Sequence, residues 1–172
     1  ENYSNYVPHI PGSGDLVRQL WLDNYLFGAN ATHIIEADRF TNTSSVSLSN
    51  YIGDHFGRLP QVLGSFTGTV PNEFYLNTSK KSDISAFNKF GYRAGNSNFL
   101  IDLQIRNVNY NASGTLRNQT NFSFDKNYTF FNPKLGAFYR LNPRIAFRGQ
   151  AGSAFRMPSF YHIYNNYAYK SI

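Results

Sequence analysis

Phe99-Leu100-Ile101-Asp102-Leu103-Gln104-Ile105-Arg106 decides how this chain folds. Phe99, Ile101, Leu103 and Ile105 fall on one side of an extended backbone. Asp102, Gln104 and Arg106 fall on the other, because successive strand side chains point to opposite faces. The stretch from Arg144 to Arg156 repeats the arrangement. Ile145, Phe147, Gly149, Ala151 and Phe155 form one face, and Arg144, Arg148, Gln150 and Arg156 form the other. A sheet with one apolar face and one face carrying arginines needs two different media. Either a protein core or lipid must cover the apolar face.

Composition favours lipid. The 172 residues are 17% aromatic and 15% charged, and no run approaches the ~20 apolar residues of a spanning helix. A membrane barrel strand, by contrast, gives only half its residues to lipid, encloses a polar interior and carries aromatic girdles at both interfaces. The fold expected is all-β: an antiparallel up-and-down transmembrane β-barrel in the bacterial outer membrane. Its surroundings would be the lipid bilayer and lipopolysaccharide. A chain without cysteine has no disulfide framework and no thiolate metal or redox site, and no cofactor is expected. The net charge of +6 is scattered, with only Lys80 and Lys81 adjacent, so nucleic acid is not an expected partner. Glu1-Asn2-Tyr3 lacks the basic start and apolar core of a signal peptide, so the chain reads as mature or cut from something longer.

Turn residues divide the chain into about six strands. The first runs from Leu16 to Ile35 and turns at Glu36-Ala37-Asp38-Arg39. The second covers Thr43 to Tyr51. A long connection over 52–81 follows, broken by Gly53, Gly57, Pro60, Gly64, Gly68 and Pro71. The third strand, Asp83 to Arg93, turns tightly at Gly95-Asn96-Ser97-Asn98 into a fourth, from Phe99 to Ala112. A polar loop over 114–127 leads to the fifth, Tyr128 to Leu141, which turns at Asn142-Pro143 into the sixth, Arg144 to Arg156. Short turns alternating with long loops are the mark of an up-and-down outer-membrane barrel. The fourth strand poses one problem. After Arg106 its apolar residues Val108, Tyr110 and Ala112 change parity, which requires either a bulge near Asn107 or departure from lipid.

Several stretches, in order, resemble TonB-dependent outer-membrane receptors of the Bacteroidota. They are Trp21-Leu22-Asp23-Asn24, Asn50-Tyr51-Ile52-Gly53-Asp54-His55-Phe56-Gly57, and Phe74-Tyr75-Leu76-Asn77 with Lys80 and Asp83. Asp102-Leu103-Gln104-Ile105-Arg106, Phe131-Asn132-Pro133-Lys134 and Phe155-Arg156-Met157-Pro158-Ser159 continue the resemblance. It implies a barrel of 22 strands with a plug in its lumen, a TonB box and coupling to the inner membrane. At ~10 residues per strand plus turns, such a barrel needs well over 300 residues, so residues 1–172 would be part of its wall, without plug or TonB box. The implied partners are the rest of the barrel and the plug, the TonB complex through the missing N-terminal part, and a surface lipoprotein.

Candidate sites are few. Asp54 and His55 are the leading ligand candidates, with His33, Glu36 and Asp38 as a second group. A metal needs three or four converging ligands, and adjacent strand residues diverge, so no metal site is assigned. The quieter reading is a pair that stabilises an extracellular loop. No Gly-x-Ser-x-Gly elbow and no phosphate-cradling glycine loop occur, so no catalytic residue is expected. Asp102, Gln104, Arg106, Arg148, Gln150 and Arg156 should face the lumen, wetting it, bonding a plug or lining a substrate path. Tyr161, Tyr164, Asn165, Asn166, Tyr167 and Tyr169 could grip a sugar or siderophore ring, or serve as a girdle. Eight Asn-x-Ser/Thr sequons follow from the richness in Asn, Ser and Thr. The leading reading is import of a scarce nutrient: a siderophore, vitamin, oligosaccharide or peptide. A docking barrel for surface lipoproteins and a soluble secreted carbohydrate-binding β-sandwich remain as alternatives.

Overall fold

The computed structural model describes residues 12–66, 73–117, 120–160 and 162–163. Six strands form one sheet in sequence order. They are β1 (Gly12–Glu36), β2 (Phe40–Phe66), β3 (Glu73–Ala94), β4 (Ser97–Thr115), β5 (Asn121–Asn142) and β6 (Ile145–Gly152). The sheet is antiparallel throughout, so each neighbour pair is joined without a crossover. No second sheet, as a sandwich would require, occurs among the described residues.

The short turns fall where the sequence puts them. β3 reverses into β4 through Gly95, whose φ of 55° suits a residue without Cβ. Asn142 caps the last turn, its side-chain oxygen accepting the amides of Arg144 and Ile145 at 2.9 Å each.

The long connections are different. Most of 52–81 is strand, since β2 continues to Phe66 and β3 begins at Glu73. β4 and β5 likewise run well into 114–127. Gly53 and Gly57 make room for rings instead of breaking the strand. A Cβ on Gly57 would collide with the rings of Phe74 and Tyr75, and one on Gly53 would meet the Tyr51 ring. The sixth strand is shorter than expected, ending at Gly152, so Arg156 lies beyond it.

The chain forms two compact units. The first comprises 1–28, 49–82 and 109–127, and the second comprises 29–48, 83–108 and 128–172. We term the face bearing Ile101, Leu103 and Ile105 the outer face, and that bearing Asp102, Gln104 and Arg106 the inner face. In the second unit many of the exposed side chains are apolar, among them Val46, Leu48, Ile84, Ile101, Leu103, Ile105, Phe131, Leu135 and Tyr139. Segments such as 40–48, 83–94 and 97–108 are close to the ~9–11 residues that carry a tilted strand across a hydrocarbon layer.

In the first unit the apolar core consists of Leu59, Phe74, Tyr75, Ala112, Phe122 and Phe124. Asn109, Asn111, Ser113, Asn121, Ser123 and Asp125 are the exposed residues between them. β1 is an exception, with Leu20, Trp21, Leu22, Tyr25, Leu26 and Phe27 all exposed, as is Ile52 on β2.

The parity problem of β4 resolves without a change of facing. Exposure alternates through the strand: Ile101, Leu103, Ile105, Asn109, Asn111 and Ser113 are exposed, while Val108 and Ala112 are fully buried at 0%. What changes is the chemistry of each face. Up to Ile105 the outer face is apolar; from Asn107 it is polar, and the inner face takes up the apolar residues. β5 makes the same exchange between Thr129 and Phe131, with Phe122 and Phe124 buried beyond it. This is how a strand responds when the medium on its outer face passes from apolar to aqueous.

Candidate functional site on the inner faces

In the first unit, Tyr51 and His55 lie four residues apart on β2 and therefore on one face. Both are half-buried, as are Tyr110 of β4 and Arg117 just beyond it. The Tyr110 hydroxyl bonds Ser79 of β3, and its ring meets Phe124 edge-on at 5.2 Å between centroids. Burial raises the Tyr110 phenol above its ordinary value, so it stays protonated. Arg117 sits 5.7 Å from the centre of the Tyr75 ring.

The loop bearing Arg117 is positioned by backbone fit. Gly114 has a φ of 134°, and a Cβ there would strike the Leu76 carbonyl and the Asn77 backbone. Asn77 is buried and donates to the Thr115 carbonyl at 3.3 Å.

His55 is held below its ordinary pKa, first by burial and then by the Arg117 charge, against the opposing pull of Asp54. It is a neutral imidazole at neutral pH. Asp54 accepts a 2.6 Å hydrogen bond from Thr78 on the neighbouring strand. The two residues are therefore not a bonded pair in a loop. They lie on β2, and the structure separates their roles because adjacent strand positions diverge.

In the second unit, Arg106 pairs with Asp83, its Nε 3.0 Å from both carboxylate oxygens. Gln104 accepts from Asn132 at 3.1 Å. Asp102 is half-buried beside them on β4. Arg148 stands opposite Phe138 and Gln150 opposite Gly136 across the β5–β6 ladder. Arg156 is exposed and follows Phe155, which Asn132 holds at both backbone groups. Tyr161, Tyr164 and Asn165, with Asn166, Tyr167 and Tyr169, lie outside the described residues.

No group of three or more His, Cys, Asp or Glu able to hold a metal occurs among the described residues, the His33–Glu36–Asp38 region included. What the first unit offers is aromatic edges, a neutral imidazole and a guanidinium on one surface. That set suits binding of a ring or sugar face with an attached polar or anionic group. Sequence reading did not single out Tyr51, Tyr110 or Arg117. The i, i+4 spacing of Tyr51 and His55 was the available signal, but treating 52–81 as a loop concealed it.

A family model described as TonB dependent receptor-like, beta-barrel, matches residues 2–171. No curated protein and no solved structure matches the chain.

Proposed function

This chain belongs to the TonB-dependent receptor-like β-barrel family, and from that premise we propose that it is wall of a nutrient importer. Membership makes it part of an outer-membrane receptor, in contact with lipid and coupled to TonB. On our reading the second unit crosses the bilayer with its inner face toward the lumen, and the polar outer face of the first unit meets water. The observation that carries this is the exchange of outer-face chemistry on β4 and β5, where Ile105 and Phe131 give way to Asn107 and Thr129.

The cargo is a scarce nutrient of the siderophore, vitamin, oligosaccharide or peptide kind, and the receptor is of the Bacteroidota type. Tyr51, His55, Tyr110 and Arg117 contact it from the wall. The work is binding followed by movement of the plug, with no covalent step.

The test uses the full-length receptor in its own outer membrane. Uptake of a ferric siderophore, a corrinoid, a malto-oligosaccharide and a short peptide is measured for the native receptor and for Tyr51→Ala/Tyr110→Ala. The double variant is expected to weaken binding of the imported probe while the barrel still assembles. Unchanged affinity for every probe that the native receptor imports would overturn the assignment of the site.

A further inference from the structure

A groove of about 520 Å³ crosses the outer face of the second unit, within the ~300–1,000 Å³ usual for ligand sites. Ser44 and Ala86 are short side chains in its lining, and Val46, Leu103, Ile105 and Phe131 stand around them. Those four apolar side chains are all exposed.

Polar groups interrupt this apolar face at the groove. Asn88 of β3 donates to Ser44 at 2.8 Å and to Asn42 at 3.3 Å, both on β2. Asn42 donates back to Asn88 at 3.2 Å, and the Ser44 hydroxyl donates to Asn42 at 3.0 Å. These bonds occupy both N–H groups of the Asn88 amide but one of the two on Asn42. The His33 ring lines the groove, is exposed and bonds no described residue. One amide N–H and one imidazole N–H therefore remain for a partner.

The depth of this cluster is marked by two rings. Asn42 follows Phe40 by two residues and Asn88 precedes Phe90 by two, so each shares a face with its phenylalanine. Phe40 and Phe90 stack at 6.2 Å between centroids, near the short turns, as rings do in an interfacial girdle. The polar cluster is the next step inward, about 7 Å along each strand.

We propose that the groove seats one glycerophospholipid of the periplasmic leaflet, with an acyl chain along it and ester carbonyls accepting from His33 and Asn42. This rests on the reading that the second unit crosses the bilayer. Lipid then covers the face and excludes water, and a donor without an acceptor is costly there. Just inside the headgroups, the acceptors that a glycerophospholipid offers are its ester carbonyls. No described Lys or Arg lines the groove, so its chemistry suits a neutral carbonyl better than a phosphate. Short turns of outer-membrane barrels are periplasmic, which selects the glycerophospholipid leaflet over lipopolysaccharide.

The test is native mass spectrometry of the full-length receptor, purified in detergent, stripped of lipid and titrated with phosphatidylethanolamine. One lipid is expected to stay bound. A diether analogue, which lacks both carbonyls, should bind about tenfold more weakly, and His33→Leu/Asn42→Leu should lose the ester lipid by a similar factor. Ala86→Phe fills the groove while leaving both donors in place, and should abolish retention. Equal binding of ester and ether lipids, or no retained lipid, would overturn the proposal. So would preferred retention of lipid A, which would put the groove in the other leaflet. Failure here with nutrient uptake and outer-membrane fractionation intact refutes this inference alone. A parent protein that fractionates as soluble refutes the receptor reading itself.

Discussion

Asn132 accepts the Phe155 amide at 2.7 Å and donates to the Phe155 carbonyl at 3.3 Å. One side chain thus replaces a strand partner after β6 has ended at Gly152. The Asn132 side-chain nitrogen also donates to Gln104 on β4, so three segments meet at one buried group. Phe131-Asn132-Pro133-Lys134 and Phe155-Arg156-Met157-Pro158-Ser159, two separate stretches of the family resemblance, are physically joined here.

Replacing Asn132 with Ala should leave the Phe155 backbone without partners and free the segment after Gly152. A cost of about 1–3 kcal/mol is expected from stranding buried polar groups. Hydrogen exchange of the Phe155 amide in the detergent-solubilised receptor reads this directly. Protection equal to that of the native protein would refute the clamp.

Asp83 and Arg106 make the second structural test. Asp83 is largely sheltered, and Asp83→Asn leaves the guanidinium with a weaker acceptor, so a loss of about 1–2 kcal/mol is expected. A double-mutant cycle with Arg106→Gln should show the two losses to be non-additive, because each removes the same interaction. Simple additivity in refolding titrations would mean the pair contributes nothing.

The position of the bilayer can be tested on one strand. Leu103→Arg puts a charge in the apolar band and should cost about 2–4 kcal/mol, whereas Asn109→Arg, beyond the exchange of faces, should cost about 0–1. Assembly into lipid vesicles, followed by gel mobility with and without heating, distinguishes them. Equal penalties would place the boundary elsewhere.

Gly114 should resist substitution far more than Gly149. Gly114→Ala combines a φ of 134° with contact against backbone atoms, which cannot swing away as a ring can. Gly149→Ala meets open space. A clear drop in thermal stability for the first and little change for the second is the expected pair of results.

His55 sets a pH dependence. Because its folded pKa lies below the unfolded value of about 6.5, the unfolded chain binds the proton more readily. Its contribution to stability is present above pH 6.5 and falls as pH drops through the folded pKa. Denaturation at pH 5 and pH 7.5 should show a smaller difference for His55→Gln than for the native receptor. Identical differences would mean that His55 is not sheltered as described.

The alternation from Phe99 to Arg106 determined strand and facing by itself, because the two-residue period of a strand is a local property. Gly95 and Asn142-Pro143 fixed short turns for the same reason. Glycine-rich 52–81 misled, because a glycine looks the same in sequence whether it breaks a strand or makes room for a ring on the next one. Only the packing of Phe74 and Tyr75 over Gly57 decides that. The parity of Val108, Tyr110 and Ala112 was visible, yet its cause was not. A strand's pattern reports that its two faces differ, while the medium or core against each face is set by the other strands. Likewise Tyr51, Tyr110 and Arg117 are distant in sequence, and the first unit that contains them exists only through long-range pairing of β2, β3, β4 and β5. Local chemistry fixed the strand and its facing; what each face meets belongs to the tertiary structure.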